Sequence, residues 1–266
     1  MKKGRKILGI ALPIAAIVFC MMGFLIAPND PHKTTLISKF LASDLQYPFG
    51  TDELGRCVFS RILYGGTVTV GIVLLGSVIV ASIGTVIGIG IAQGSAGKNL
   101  FFDSLLNAVT AIPPIAYLII FIGIWGNSIP TMLVSLTASL ILRMIKLVKT
   151  KTELEFGKAY ILCAIASGAS KLRLLFVHIL PNIAGEIIRF VCLSCAEMIL
   201  TISGFSFIGL NLGDDVIDWG IMLSDARIVA AARPMLMIYP IVFIFICALS
   251  FNLLARRLEK GGESNA

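Results

Sequence analysis

TVTVGIVLLGSVIVASIGTVIGIGIA, residues 67–92, runs for 26 positions without a charged side chain. Crossing a hydrocarbon core of roughly 30 Å takes about 20 apolar residues at 1.5 Å each, so this run is long enough to span a bilayer as one helix. Gly84-x-x-x-Gly88 gives it a face of small residues on which a second helix can approach closely. The whole chain has the same character: of 266 residues, 57% are hydrophobic and only 14% charged, and the mean hydropathy is +0.94. A water-soluble domain needs roughly a quarter of its residues charged. No long stretch here has such a composition, which excludes a soluble enzyme and predicts one all-α polytopic membrane protein.

Five further apolar runs flank this one. Ile7 to Ala27 follows Lys2, Lys3, Arg5 and Lys6. It reads as an uncleaved anchor, because the run is too long for a signal-peptide core and Ile26-Ala27-Pro28-Asn29 lacks the small-residue cleavage pattern. Residues 28–64 are polar and mixed, broken by Pro28, Pro31 and Pro48. After a turn over Gly94 to Asn99, the third run extends from Phe101 to Trp125 and is interrupted by Pro113-Pro114. Two prolines break the backbone ladder, so this helix is expected to be kinked or split and sheltered by protein at the break. Gly126 to Pro130 forms a turn, and Thr131 to Val148 is the fourth span. Residues 149–180 are charged and divided by Gly157 and Gly168, which predicts short helices. Ile183 to Ile208 is the fifth span, Gly209 to Arg233 a polar loop with Asp214, Asp215, Asp218 and Trp219, and Met235 to Ala255 the sixth span. The chain thus divides into an anchor with an extracytoplasmic segment (1–65), a core with a protruding loop at 149–181 (66–258), and a polar tail (259–266).

Six crossings put both termini on one side. Fifteen basic residues lie in the segments on that side, against six on the other: Lys33, Lys39, Arg56, Arg61, Arg227 and Arg233. The positive-inside rule therefore predicts that both termini are cytoplasmic. The net charge of +7 is spread over these short segments and forms no basic module of the kind nucleic acid would need. Cys192-x-x-Cys195 lies within an apolar helix with no second pair, and reads as packing rather than redox or zinc chemistry.

Three charges lie in the fifth span. Glu186 and Arg189 are three apart and can pair or snorkel on one helix face near its start, the alternative being a place on the pore or an interface. Glu197 is four turns in, with no partner on its own helix, and is a candidate for the pore or for a companion subunit. There is no G-x-x-x-x-G-K-[ST], so energy from ATP would have to come from another polypeptide. Two other classes stand beside a transport subunit. An intramembrane hydrolase would need H-E-x-x-H or a serine nucleophile with a base. The two histidines, His32 and His178, are far apart, and Gly213-Asp214 lies in a loop. An ion-driven carrier would need midplane ligands, for which Glu197 is the sole candidate.

Residues 158–182, KAYILCAIASGASKLRLLFVHILPN, resemble the cytoplasmic loop of bacterial ABC importer permeases: E-A-A, three residues, Gly, nine residues, Ile-x-Leu-Pro. Gly168 and Leu180-Pro181 align without a gap, and Cys163 and Ala164 fall on the two alanines. The ending is similar to that of the dipeptide, oligopeptide and nickel branch, closest to its second, C-type permease. Three further stretches look like the same branch: Tyr47 to Arg56 with Phe59-Ser60-Arg61, Phe205 to Leu210, and Trp219 to Arg227.

The resemblance implies the type I ABC importer permease fold in the bacterial inner membrane. It also implies a companion permease, two ATPase subunits that use the ATP, an extracytoplasmic binding protein, and a cargo of short peptides or nickel and other metal chelates. The chain itself would bind no cofactor or metal and catalyse nothing. Cys163, Ala164, Gly168, Ala169, Leu180 and Pro181 would form the element that seats on the ATPase. Small residues allow close seating; Leu172, Leu174, Leu175 and Val177 are expected to pack, Lys171 and Arg173 to stay wet, and Pro181 to end the segment. Leu162 and Ile165 depart from the pattern, replacing a glutamate and an arginine.

Overall fold

Residues 2–94, 100–210, 212–213 and 215–262 are described by a computed structural model. The expected turn at 95–99, Asp214 and the end of the tail lie outside them. Among the described residues the architecture is all-helical, with a single isolated bridge between Thr51 and Cys57. The helices are α1 (Lys2–Met22), α2 (Val58–Gln93), α3 (Leu100–Thr110), α4 (Pro114–Trp125), α5 (Ile129–Phe156), α6 (Ala159–Ala166), α7 (Lys171–Arg173), α8 (Leu180–Phe207), α9 (Trp219–Arg227) and α10 (Met235–Gly262).

Four unbroken helical stretches are long and apolar enough to cross a membrane: Val58–Gln93, Ile129–Phe156, Lys171–Phe207 and Met235–Leu258. The α3–α4 pair, bent by 76° at the two prolines, is long and apolar enough for a crossing only when its two arms are taken together, and a bend of that size fits a broken span or a re-entrant loop. Pro113 has no N–H to offer the Val109 carbonyl; the Tyr117 hydroxyl donates to that carbonyl instead, at 3.0 Å. The sixth apolar segment, Ile10–Ile26, is shorter, and α1 packs on α10 and α2.

The centre of the molecule is α2 against α5, with α8 and α10 packed beside them. Gly84 and Gly88 explain the closeness of the first pair. A Cβ on Gly84 would collide with the Met144 side chain, and one on Gly88 would lie 2.8 Å from Val148 Cβ and 2.9 Å from the Ile145 carbonyl. Val73, Val80, Leu140, Met144 and Val148 fill the buried seam. Cys195 is buried and Cys192 half-buried, both as packing.

The structure corrects the sequence reading at four places. α2 begins at Val58, nine residues before the expected start. α5 continues to Phe156, past the expected end at Val148, and Arg143 lies midway along it. The stretch 209–233 is not simply a polar loop. It contains α9, whose Trp219 is completely buried and donates from Nε1 to the Ile62 carbonyl at 2.9 Å. Finally, Pro181 ends nothing. Helical backbone runs from Lys171 to Phe207, and Leu174–Ile179 form a widened, π-helical turn in which Leu180 N–H bonds the Leu175 carbonyl. A proline missing its N–H and crowding the carbonyl four residues back is accommodated by such a turn.

Candidate functional site

The end of the molecule that carries α6 and α7 is built around a glycine. α6 stops in a Schellman arrangement: Gly168 N–H bonds the Ile165 carbonyl at 2.9 Å, and Ala169 N–H bonds the Ala164 carbonyl at 3.0 Å. That closure needs a left-handed residue, and Gly168 has φ +79°. Ser170 Oγ then accepts from Arg173 N–H at 3.3 Å and starts α7. Ile161 is buried and anchors α6, with half-buried Ala164 and Ala169 also against the core. The opposite face is open: Cys163, Gly168 and Pro181 are exposed, as are the apolar Leu162 (58%) and Ile165 (48%).

Of the residues expected to pack, Leu174 is buried and Leu175 half-buried, whereas Leu172 and Val177 are exposed together with Phe176. Helical phase is the reason, since positions 174 and 179 turn inward and 172, 176 and 177 turn outward. Leu180 is half-buried. One face of the α6–α7 hairpin therefore rests on α5 and α8, and the other is small and apolar in the open.

A polar network ties this hairpin to both long helices. Glu155 of α5 accepts from Lys158 Nζ at 2.5 Å and from the Tyr160 hydroxyl at 2.5 Å, and Asn182 Nδ2 of α8 donates to that same hydroxyl oxygen at 2.7 Å. Burial and the Glu155 carboxylate push the Tyr160 phenol up; its hydrogen bond to Glu155 holds the Lys158 ammonium up. Lys149 meets Asp103 of α3 at 2.5 Å and Glu153 at 3.0 Å. An open recess of ≈ 650 Å³ lies between the end of α2, the end of α5 and the hairpin, bordered by Gln93, Phe156, Ile165 and Leu174.

The three charges of α8 separate into two groups. Glu186 meets Lys151 of α5 at 2.8 Å and Arg189 at 3.7 Å, so the pair expected within α8 exists and is shared with α5. Glu197 pairs across helices: Arg143 Nη1 donates to its two oxygens at 3.0 and 3.3 Å. The sequence reading missed this partner because it sought one for Glu197 only on its own helix. A cation within one apolar run and an anion within another is the signal that finds it.

At the opposite end, two arginines and two aspartates join three parts of the chain. Asp52 Oδ2 accepts from Arg56 Nε and Arg61 Nη1, both at 2.7 Å. Asp225 Oδ2 of α9 accepts from Arg56 Nη2 at 3.0 Å and Arg61 Nη2 at 3.1 Å. The turn that brings Asp52 and Arg56 together passes Gly55 at φ +72°, where a side chain would strike the Thr35 carbonyl. Asp218 caps α9 by accepting from Gly220 N–H at 2.6 Å and Ile221 N–H at 3.2 Å. Its second oxygen is buried beside the Ser206 hydroxyl, which favours the charged form without forming a well-shaped hydrogen bond. Burial outweighs these donors and pushes the Asp218 carboxyl up to about 6.

Residues 84–261, which hold the Gly168 hairpin, the Glu197 pair and α9, match the family model of the binding-protein-dependent transport system inner membrane component. The chain belongs to this family. Its relatives include the nickel transport system permease protein NikC of Escherichia coli K12, 27% identical over 87% of this chain and 84% of the relative. A protein of Brucella suis biovar 1, named for a peptide transport system permease, is 28% identical over 95% and 85%. The glutathione transport system permease protein GsiD of Shigella dysenteriae serotype 1 is 29% identical over 81% and 71%. The chain is thus a multi-pass inner-membrane permease of the dipeptide, oligopeptide and nickel branch. Among its described residues, no three His, Cys, Asp or Glu side chains gather in a group that could hold a metal ion.

Proposed function

We propose that this permease is one half of the pore of an ATP-driven importer for short peptides or metal chelates. A companion permease forms the other half, two separate ATPase subunits drive it, and an extracytoplasmic binding protein delivers the cargo. Both termini and the α6–α7 hairpin face the cytoplasm, as the charge asymmetry of the connecting segments supports.

The observation that carries the reading is the two-sided hairpin. Its inner face is bonded to α5 and α8 through Glu155, Tyr160 and Asn182, and its outer face offers small and apolar side chains that no other described residue covers. A motor that grips the outer face moves two spanning helices at once, so closure of the ATPase pair reorients the pore. Leu162 and Ile165 sit where polar family residues would contact the motor, and their exposure supports a partner cleft that is apolar at this point.

Crosslinkers placed at Cys163, the exposed thiol of α6, test the reading in membranes of cells carrying the whole system. Capture of an ATP-hydrolysing subunit is expected; labelling of Cys163 only from the extracytoplasmic side would overturn it. Leu162→Glu is expected to lower stimulated ATP hydrolysis in the assembled complex at least threefold, and a gain would argue against the apolar cleft.

A further inference from the structure

We infer that Glu197 and Arg143 form a transit site for a zwitterionic cargo, an organic molecule bearing an ammonium and a carboxylate; the inference rests on the importer reading above. By helical rise, Arg143 is roughly 21 Å from the start of α5, and Glu197 roughly 15 Å from the end of α8 at the same end of the molecule. Both charges therefore lie at mid-span, where ionisable groups are costly and mark transport paths.

On the single chain the pair is open on one side, its side chains 32% and 41% exposed. Glu197 borders a groove of ≈ 470 Å³ whose far wall is the break in the α3–α4 helix, at Pro113 and Pro114. Thr201 and Gly204 keep the near wall small. The Thr201 hydroxyl is turned to the Glu197 backbone carbonyl at 2.8 Å and leaves the carboxylate to Arg143.

The chemistry of the pair selects the class of occupant. Both bonds to Glu197 come from Nη1, and a guanidinium has five N–H donors in a planar fork, so Arg143 has capacity for a second carboxylate. An entering ammonium takes Glu197 while an entering carboxylate takes Arg143, and no charge is left unpaired in the bilayer at any stage. A bare divalent cation fares worse. It would meet one carboxylate with a guanidinium 3.0 Å away, and the described residues gather no three His, Cys, Asp or Glu side chains to hold it. The second charged site of α8, Glu186 with Lys151 and Arg189, has two cations on one anion and lies about 16 Å nearer the hairpin.

The test uses the assembled transporter with its binding protein in liposomes. It measures uptake of labelled L-alanyl-L-alanine, glutathione and Ni²⁺ in turn, alongside ATP hydrolysis. Glu197→Gln is expected to lower uptake of the zwitterion that the unaltered complex carries at least tenfold, while stimulated ATP hydrolysis stays within twofold. The exchanged pair, Glu197→Arg with Arg143→Glu, is expected to restore subunit assembly where the single change weakens it, but not uptake. Unchanged uptake in Glu197→Gln, or full recovery of uptake in the exchanged pair, overturns the site. A parallel loss of uptake and ATP hydrolysis does so too. An unaltered complex that imports Ni²⁺ alone overturns the zwitterion assignment and leaves the importer standing. Failure to assemble with any ATPase overturns both.

Discussion

The two ends of this permease are built on opposite principles. At the α9 end a buried cluster is paired from within the chain: Arg56 and Arg61 with Asp52 and Asp225, the Trp219 indole with the Ile62 carbonyl, and the α9 N-terminus with one oxygen of Asp218. At the α6 end only one face is answered; the other leaves Leu162, Ile165, Leu172 and Phe176 in the open. The first is a charged cluster closed within the single chain. The second keeps an apolar face uncovered, held by a few hydrogen bonds that position it. Substitutions should therefore cost stability at the α9 end and coupling at the α6 end.

The largest effect is expected from Trp219→Ala. Losing a fully buried indole that fills the space against Gly66 should cost about 3–5 kcal/mol and lower the thermal unfolding midpoint of the purified permease steeply. A shift no larger than that of an exposed-residue control would break the contrast between the ends.

Next comes pH. Because the folded Asp218 binds its proton up to about 6 while an unfolded aspartate releases it near 3.8, the folded state holds more protons between those values. Stability from this group is therefore greatest below the lower value, falls as pH rises through the window, and is level above it, a change of about 3 kcal/mol. Asp218→Asn keeps a cap oxygen for Gly220 and Ile221 and has no charge to bury. Its unfolding midpoint measured from pH 4 to 7 should lack that decline and exceed the unaltered protein's at pH 7.

Gly168→Ala should cost about 1–2 kcal/mol, confined to the hairpin, because alanine resists the left-handed conformation. Hydrogen exchange should quicken over 159–173 with the global midpoint nearly unchanged, and stimulated ATP hydrolysis should fall. Tyr160→Phe should be smaller still, about 1 kcal/mol, loosening α6 from Asn182 in the same exchange experiment. Equal quickening at α9 in either variant would show that the two ends are not independent.

Much of this was legible in the chain itself. Apolar run length located the four long spanning helices, the Pro113-Pro114 pair the break, and Gly84-x-x-x-Gly88 the close helix contact, since each acts through backbone or volume over a few neighbouring residues. The hairpin glycine could be placed by spacing, and its left-handed conformation is why a glycine stands there. What the sequence did not disclose was pairing across helices. Arg143 with Glu197 is 54 positions apart, and Arg61 with Asp225 is 164. Nothing in local periodicity joins such residues; only the packed bundle does. Pro181 misled for a related reason. Proline is a helix breaker in isolation, yet one widened turn before it lets the backbone continue.

That uninterrupted backbone has a mechanical consequence. From Lys171 to Phe207 the chain forms a single rod of 37 residues, about 55 Å long. Tilting such a rod by 10° about its hairpin end would sweep the far end through about 10 Å, several times the width of a methyl group. Glu197 rides on the outer half of that lever, and the wide turn at Leu174–Ile179 is where its grip joins its shaft. A small tilt at the hairpin thus becomes a large excursion at the far end of α8.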